Sequence, residues 1–161
     1  MKFREANKKD LNGIIQILIE SYISLEGSKE LAKKEYKTEL NYGHHFFIAV
    51  EKKEVIGLIA WFYHGLKKHC LIEIDRFAVK SEYRRKGVGR KLFQKLIENL
   101  NKYFSKYGGV RKVFLVTRKK NKRALIFYKK LGFKKVGELK NHFYKKVDYA
   151  ILEIYPKLIF E

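Results

Sequence analysis

Apolar residues recur every three or four positions in four stretches of the chain, which is the spacing of a helix that buries one face. These stretches are residues 11–23, 28–40, 88–104 and 121–131. Residue types that favour helix starts stand before or at the beginning of three of them: Asn7 and Asp10 before the first, Ser28 at the second and Asn121 at the fourth. The pattern therefore predicts four amphipathic helices.

Runs rich in β-branched and aromatic residues occupy most of the chain between these helices, as is typical of strands. One short run surrounds Phe3, and six more cover residues 46–51, 55–63, 70–79, 113–117, 133–139 and 144–154. Helices and strands alternate irregularly, and some neighbouring runs are close enough to form hairpins. We therefore predict an α/β fold with one mixed sheet of about seven strands, antiparallel hairpins and about four helices on both faces.

Length and composition favour a single domain over residues 1–161, since domains commonly have roughly 100 to 200 residues and no linker or repeat interrupts the chain. With 46% hydrophobic and 34% charged residues, the chain resembles neither a membrane bundle nor a disordered protein. The first residues lack the apolar segment of a signal peptide. We expect a cytoplasmic protein that has no membrane partner.

Cysteine and histidine content argues against two classes of small protein. A single cysteine, Cys70, excludes an internal disulfide framework, and the five histidines are not spaced like zinc ligands. His44 and His45 are adjacent but lack further candidate ligands nearby. We expect no metal site.

The charge is strongly positive, with 37 Lys and Arg residues against 17 Asp and Glu residues and a net charge of +20. Such a charge attracts anions and polyanions. An alternative explanation is a lysine-rich composition spread over the whole surface, as in an A+T-rich genome or a thermophile. The charge is compatible with contact to nucleic acid or to the ribosome. The sequence is also compatible with a homodimer.

The segment IDRFAVKSEYRRKGVGRKLFQKL, residues 74–96, joins a predicted strand to a helix through a glycine-containing turn. Gly87 and Gly89 permit backbone angles at which successive N–H groups point toward an anion at the positive end of the helix dipole. Five cations surround the same turn, namely Arg84, Arg85, Lys86, Arg90 and Lys91. The turn lacks the Gly-Lys-Ser/Thr of a Walker A loop and the third glycine of a dinucleotide fingerprint. We expect it to bind phosphate groups.

The spacing of Arg84, Gly87 and Gly89 resembles the acyl-CoA pyrophosphate loop of the GNAT superfamily of N-acetyltransferases, Gln/Arg-x-x-Gly-x-Gly/Ala. A second segment, NKRALIFYKKLGFKKVG, is similar to that superfamily's Asn-x-x-Ala-x-x-x-Tyr-x-x-x-Gly-Phe pattern, with Asn121 and Tyr128 in the expected places. The order of predicted elements also resembles the superfamily over nearly the whole chain. The C-terminal half resembles the branch that acetylates ribosomal-protein N-termini.

The resemblance implies that the cofactor is acetyl-CoA. It assigns cofactor contacts to Phe77, Ala78, Val79, Arg84, Arg85, Lys86, Gly87, Val88, Gly89, Arg90, Asn121 and Tyr128. Tyr128 would lie near the thioester sulfur and act as the general acid, and an N–H group at Phe77 or Val79 would polarise the thioester carbonyl. The alternative roles are a helix cap for Asn121 and a core aromatic for Tyr128.

The general base and the acceptor are less well defined by the resemblance. Val116 stands where the ribosomal-protein branch has a glutamate, so Glu73 and Asp75, on one face of the preceding strand, are the carboxylate candidates. The resemblance places the acceptor between the first helical connection and the last hairpin. The candidate contacts there are Tyr22, Glu26, Phe143 and Tyr144.

The predicted function is transfer of an acetyl group from acetyl-CoA to a primary amine, which is a protein N-terminus, a peptide or a small amine. One alternative is a regulatory domain that binds CoA without catalysis. Another is a basic nucleic-acid-binding module, although no RNP, KH or helix-turn-helix signature is present.

Overall fold

Eleven helices and strands make up the computed structural model, which describes residues 1–156. In chain order they are β1 (Lys2–Glu5), α1 (Leu11–Ser21), α2 (Lys29–Asn41), β2 (His45–Glu51), β3 (Glu54–Tyr63), β4 (Leu71–Val79), α3 (Val88–Tyr103), β5 (Lys112–Arg118), α4 (Lys122–Leu131), β6 (Lys134–Leu139) and β7 (Tyr149–Ile154). The mixed α/β class with seven strands and four helices is confirmed. None of the helices among the described residues is long and apolar enough to cross a membrane.

All seven strands belong to one sheet, in the order β1-β2-β3-β4-β5-β7-β6. β4 pairs with β5 in parallel, whereas β1 with β2, β2 with β3, β5 with β7, and β6 with β7 pair antiparallel. The mixture of parallel and antiparallel pairs is therefore confirmed.

The last strand is shorter than its sequence pattern predicts. It begins at Tyr149, whereas the apolar run begins at Tyr144. The intervening residues form a loop, because the Asn141 side chain accepts a hydrogen bond from the Lys146 N–H at 2.7 Å and the Asp148 side chain accepts one from the Asn141 N–H at 3.2 Å. Asn141 and Lys146 also have positive φ angles, which end strand geometry.

The chain divides into two compact units. The first unit comprises residues 1–62 and 76–98. Its core packs α1 and α2 against β2 and β3, and its innermost side chains are Ile14, Ile17, Leu18, Leu25, Ile48 and Leu58. A Cβ at Gly13 of α1 would lie 2.7 Å from the Val55 side chain, so only glycine permits this close approach of helix and strand.

The second unit comprises residues 63–75 and the chain from residue 99 onward. Its interior is formed by buried side chains of β5, α4 and β7, among them Val113, Leu115, Leu131 and Leu152. Asn121 caps α4 by accepting a hydrogen bond from the Ala124 N–H at 3.1 Å. The cap predicted from the sequence is therefore present.

Candidate functional site

The predicted phosphate turn lies in the first unit, between the end of β4 and the start of α3. Arg85 and Gly87 both adopt left-handed backbone conformations, with φ of +59° and +76°. Gly87 accepts the hydrogen bond of the Lys91 N–H at 3.0 Å, so the amides of Val88, Gly89 and Arg90 form the first turn of α3. The first N–H groups of a helix have no acceptor within the helix. The turn therefore presents a row of amides at the positive end of α3.

The charges around this turn suit an anion. Arg85, Lys86 and Arg90 are exposed, and the first turn of α3 contains no acidic residue. The Nε of Arg84 donates a hydrogen bond to the Val79 carbonyl at 2.7 Å. Its side chain thus braces the end of β4 against the turn.

The space beside Gly87 fits a phosphate-bearing ligand. No atom lies within 4 Å of the position that a Cβ would take at this residue. With the amides of α3 and the exposed cations, this opening provides donors, charge and room for a phosphate group. Gly89, by contrast, lies within α3 and has no left-handed backbone.

The end of β4 is hydrogen-bonded to Tyr22, the residue that follows α1, within the same unit. The Phe77 N–H donates a hydrogen bond to the Tyr22 hydroxyl at 3.0 Å, and the Arg76 guanidinium lies 4.6 Å from the centre of the Tyr22 ring. Ala78 is buried and Phe77 is half-buried. The Phe77 N–H, predicted to polarise a carbonyl, thus has Tyr22 as its acceptor in this structure.

Arg76 also holds α2 against β4. Its guanidinium contacts Glu35 and Glu39, each at 2.5 Å, and its side chain is only 12% exposed. Tyr22 and the α2 carboxylates therefore share one cation, which fixes the position of the α1–α2 connection. Glu26, in that connection, is exposed and has a positive φ of 49°.

In the second unit, the two candidate carboxylates on β4 have different surroundings. Glu73 is hydrogen-bonded to the Nε2 of His64, and its side chain is 19% exposed. The His64 ring packs on Phe114, with 5.2 Å between ring centres. Asp75 is exposed and follows on the same strand face. We refer to the hydrogen-bonded residues His64 and Glu73 as the His64–Glu73 pair.

Tyr128 and Tyr144 differ sharply in exposure. Tyr128 is buried to 9% exposure in α4, and its ring lies 5.4 Å from that of Phe127 and 5.5 Å from that of Phe133. Tyr144, in the β6–β7 loop, is 53% exposed and has the Arg118 guanidinium 5.5 Å from its ring centre. The predicted acid is therefore a buried phenol that packs against two aromatic rings, and the predicted acceptor contact is an exposed aromatic side chain.

Sequence reasoning missed His64 and Arg76. His64 lies beside Glu73 because the His64 N–H donates a hydrogen bond to the Leu71 carbonyl at 2.8 Å. This bond sets how the residues after β3 align with the start of β4. Arg76 lies 37 residues from Glu39 in sequence. The sequence did contain a signal for the pairing of His64 with Glu73. His64 directly follows β3, and the next strand, β4, carries the carboxylate of Glu73.

The other histidines have structural contacts. His44 Nδ1 lies 3.0 Å from the Glu39 carbonyl, and the His45 ring stacks on Trp61 at 4.3 Å. Within residues 1–156, no group of three or more His, Cys, Asp or Glu side chains is arranged to hold a metal ion.

Residues 11–133 match the family model described as the acetyltransferase (GNAT) family. The chain is 30% identical to an N-alpha-acetyltransferase of Sulfurisphaera tokodaii, over 96% of this chain and 92% of that protein. It is 32% identical to N-acetylaspartate synthetase of Xenopus tropicalis over 69% of this chain, but spans only 38% of that relative's length. A solved aminoglycoside 6'-N-acetyltransferase complexed with coenzyme A has a similar fold, with a TM-score of 0.75, 18% identity, and coverage of 96% of this chain and 97% of that one.

The family match and the fold define an acyltransferase that uses acetyl-CoA. The chain belongs to the GNAT family of N-acetyltransferases. Its activity is the acetyl-CoA-dependent acetylation of an amine.

Proposed function

We propose that the protein acetylates the α-amino group of protein N-termini or peptides. The observation that carries the acetyl-CoA half of this proposal is the turn at Arg85 and Gly87, whose left-handed residues open onto the first amides of α3. The acceptor half is supported by the N-alpha-acetyltransferase that matches 96% of the chain.

The chemistry of the second unit favours an α-amine over a lysine side chain. An α-amino group has a reference pKa of about 8, whereas a lysine amine has one of about 10.4, so an α-amine loses its proton more readily near neutral pH. A histidine held by a carboxylate, as in the His64–Glu73 pair, is a suitable acceptor for that proton. The same histidine would be a weak acceptor for the proton of a lysine amine, whose reference pKa is about 10.4.

Two proton transfers are required of the protein. Acetyl-CoA, when bound, supplies the acetyl group as an activated thioester. Transfer forms an N–C bond and breaks the C–S bond, so one proton leaves the amine and one reaches the sulfur. We assign the first proton to the His64–Glu73 pair and the second to the hydroxyl of Tyr128, as the family resemblance implies.

The remaining candidates hold these parts in place. The amides of Val88, Gly89 and Arg90, with Arg85 and Lys86, would bind the pyrophosphate. Phe77, Ala78 and Val79 would line the pantetheine arm, while Arg84 braces their strand. Asn121 caps α4 and so fixes the helix that carries Tyr128.

A panel of three acceptors tests the proposed substrate class. The first is a lysine-free peptide with a free N-terminus, the second is an N-terminally blocked peptide with one lysine, and the third is a polyamine. We expect acetylation of the first at a kcat/KM at least tenfold above the others. Faster acetylation of the blocked peptide or of the polyamine would contradict the α-amine assignment.

The His64–Glu73 pair is tested with His64→Gln and Glu73→Gln, and Asp75→Asn serves as the matched control on the same strand face. We expect each of the first two changes to lower kcat/KM by about 100-fold near pH 6, with a smaller loss at high pH, where the amine is already deprotonated. The double variant should lose no more than either single variant, because the two residues act as a unit. A normal pH profile in Glu73→Gln, or a larger loss in Asp75→Asn, would refute the assignment.

A further inference from the structure

The positive charge of the chain is concentrated in one part of the second unit. Residues 118–148 contain twelve Lys and Arg residues and two Asp and Glu residues, whereas the other 130 residues contain 25 and 15. A lysine-rich composition alone would distribute cations evenly along the chain and leave acidic residues among them. The asymmetry therefore indicates a surface with a function of its own.

Eight of these cations lie at the end of β5 and in the turn that follows it, on β6 and in the β6–β7 loop, and all eight are exposed. We name them the basic surface: Arg118, Lys119, Lys120, Lys134, Lys135, Lys140, Lys145 and Lys146. Both acidic residues of this region are engaged within it, since Glu138 pairs with Lys119 and Lys135, and Asp148 accepts the Asn141 N–H.

Contacts join these three segments to one another. The Lys119 N–H donates a hydrogen bond to the Asp148 carbonyl at 2.9 Å, and the Lys119 Nζ lies 2.9 Å from Glu138 of β6. Arg118 lies over the ring of Tyr144 in the loop. The loop itself is closed by the Asn141–Lys146 hydrogen bond. The surface is therefore formed before any partner binds, which reduces the entropy cost of binding.

Exposed aromatic rings accompany the cations. Phe143 is 62% exposed and Tyr144 is 53% exposed, both in the β6–β7 loop between Lys140 and Lys145. Cations that contact phosphates, together with aromatic rings on which bases stack, are the combination that binds single-stranded nucleic acid. Binding of an acidic protein would require the cations but not the exposed aromatic rings.

We propose that the basic surface binds RNA through an unpaired segment, with its cations on the phosphates and Phe143 stacked on a base. Unpaired loops and ends are common in RNA and are the part of RNA that side chains reach most easily. The basic surface shares no residue with the phosphate turn, and the RNA proposal does not rest on which amine is acetylated, although Phe143 and Tyr144 are also the acceptor contacts that the family resemblance implies.

The test compares two variants that each lose four lysines. The first carries Lys120, Lys134, Lys140 and Lys145 changed to Gln, and the matched control carries Lys29, Lys33, Lys34 and Lys37 of α2 changed to Gln. All eight positions are exposed, so both variants should fold and retain acetyl transfer. Binding is measured by fluorescence anisotropy with an oligouridine of about 20 nucleotides, at about 50 to 200 mM salt.

We expect the parent to bind with a micromolar Kd and the first variant to bind at least about tenfold more weakly. The slope of log K against log salt should be smaller by about 2 to 3 in the first variant, because each lost phosphate contact removes about 0.7. The control should stay within about twofold of the parent. Equal weakening of both variants would mean that only the total charge matters and would overturn the proposal.

Two further measurements separate RNA from other anions. Phe143→Leu should weaken RNA binding by about fivefold or more and leave the binding of polyglutamate unchanged, since only RNA has bases to stack. If Phe143→Leu changes neither, the surface fits an acidic protein and the RNA assignment is wrong. Saturating CoA should not displace the RNA; displacement would place the RNA on the phosphate turn and would equally overturn the proposal.

Discussion

Three single replacements of Gly87, by alanine, asparagine and aspartate, distinguish two requirements of the phosphate turn. One is a left-handed backbone, and the other is the absence of a negative charge. Gly87 has a φ of +76° and no atom within 4 Å of a potential Cβ. An alanine there meets no steric obstacle in the fold, so its whole cost is that of placing an L-residue in the left-handed region. That cost is about 1–2 kcal/mol.

Gly43 provides a matched control for this cost. It has a φ of +85°, and its Cβ position is equally open, but it lies in the connection between α2 and β2. Gly43→Ala and Gly87→Ala should therefore lower the free energy of unfolding by similar amounts, with Tm lower by roughly 2–8 °C. Only Gly87→Ala should weaken CoA binding, by up to about 30-fold if the turn relaxes away from its anion-binding conformation.

The charge of the turn is isolated by comparing Gly87→Asp with Gly87→Asn. Both side chains tolerate the left-handed region and have nearly the same shape. A carboxylate about 6 Å from a phosphate charge costs about 1–3 kcal/mol at effective dielectric constants between about 20 and 80. The aspartate variant should thus bind CoA roughly 5- to 150-fold more weakly than the asparagine variant.

Isothermal titration calorimetry with CoA, combined with thermal unfolding of each variant, measures both effects. Equal CoA affinity in the aspartate and asparagine variants would refute the placement of the pyrophosphate at this turn. A loss of CoA affinity in Gly43→Ala as large as that in Gly87→Ala would show that general destabilisation, rather than turn geometry, lowers the affinity.

Three other predictions concern individual side chains. Tyr128→Phe should lower kcat by about 100-fold with CoA affinity within a few-fold of the parent, and near-parent kcat would assign the hydroxyl to packing. Burial raises the pKa of Glu5 to about 7, so the folded state retains a proton that the unfolded state has released. The free energy of unfolding should therefore fall by about 1–2 kcal/mol between pH 4.5 and 7 relative to Glu5→Gln, and a constant difference in urea titrations would contradict this. Arg76→Met should lower the free energy of unfolding by about 2–3 kcal/mol, because it leaves two carboxylates without their cation. Further replacement of Glu35 and Glu39 by Gln should restore part of this loss. If nothing is restored, the loss of the ion pairs is not what destabilises the Arg76→Met variant.

Local interactions explain why much of the fold and of the candidate site could be predicted from the sequence. Ser28 and Asn121 cap the helices that follow them because capping requires only the backbone two or three residues ahead. The phosphate turn is equally local, since Gly87 and the amides of α3 lie within a few residues of one another. The spacing of apolar residues likewise predicts each helix and strand from its own segment.

Only the tertiary structure decided which distant residues meet. The Tyr22 hydroxyl and the Phe77 N–H are 55 residues apart in sequence, and the ion pairs of Arg76 depend on how α2 lies against β4. The His64–Glu73 pair likewise depends on the register after β3, and the start of β7 on hydrogen bonds that close the preceding loop. Such contacts follow from strand pairing and packing over the whole chain, and no short stretch of sequence contains the information that selects them.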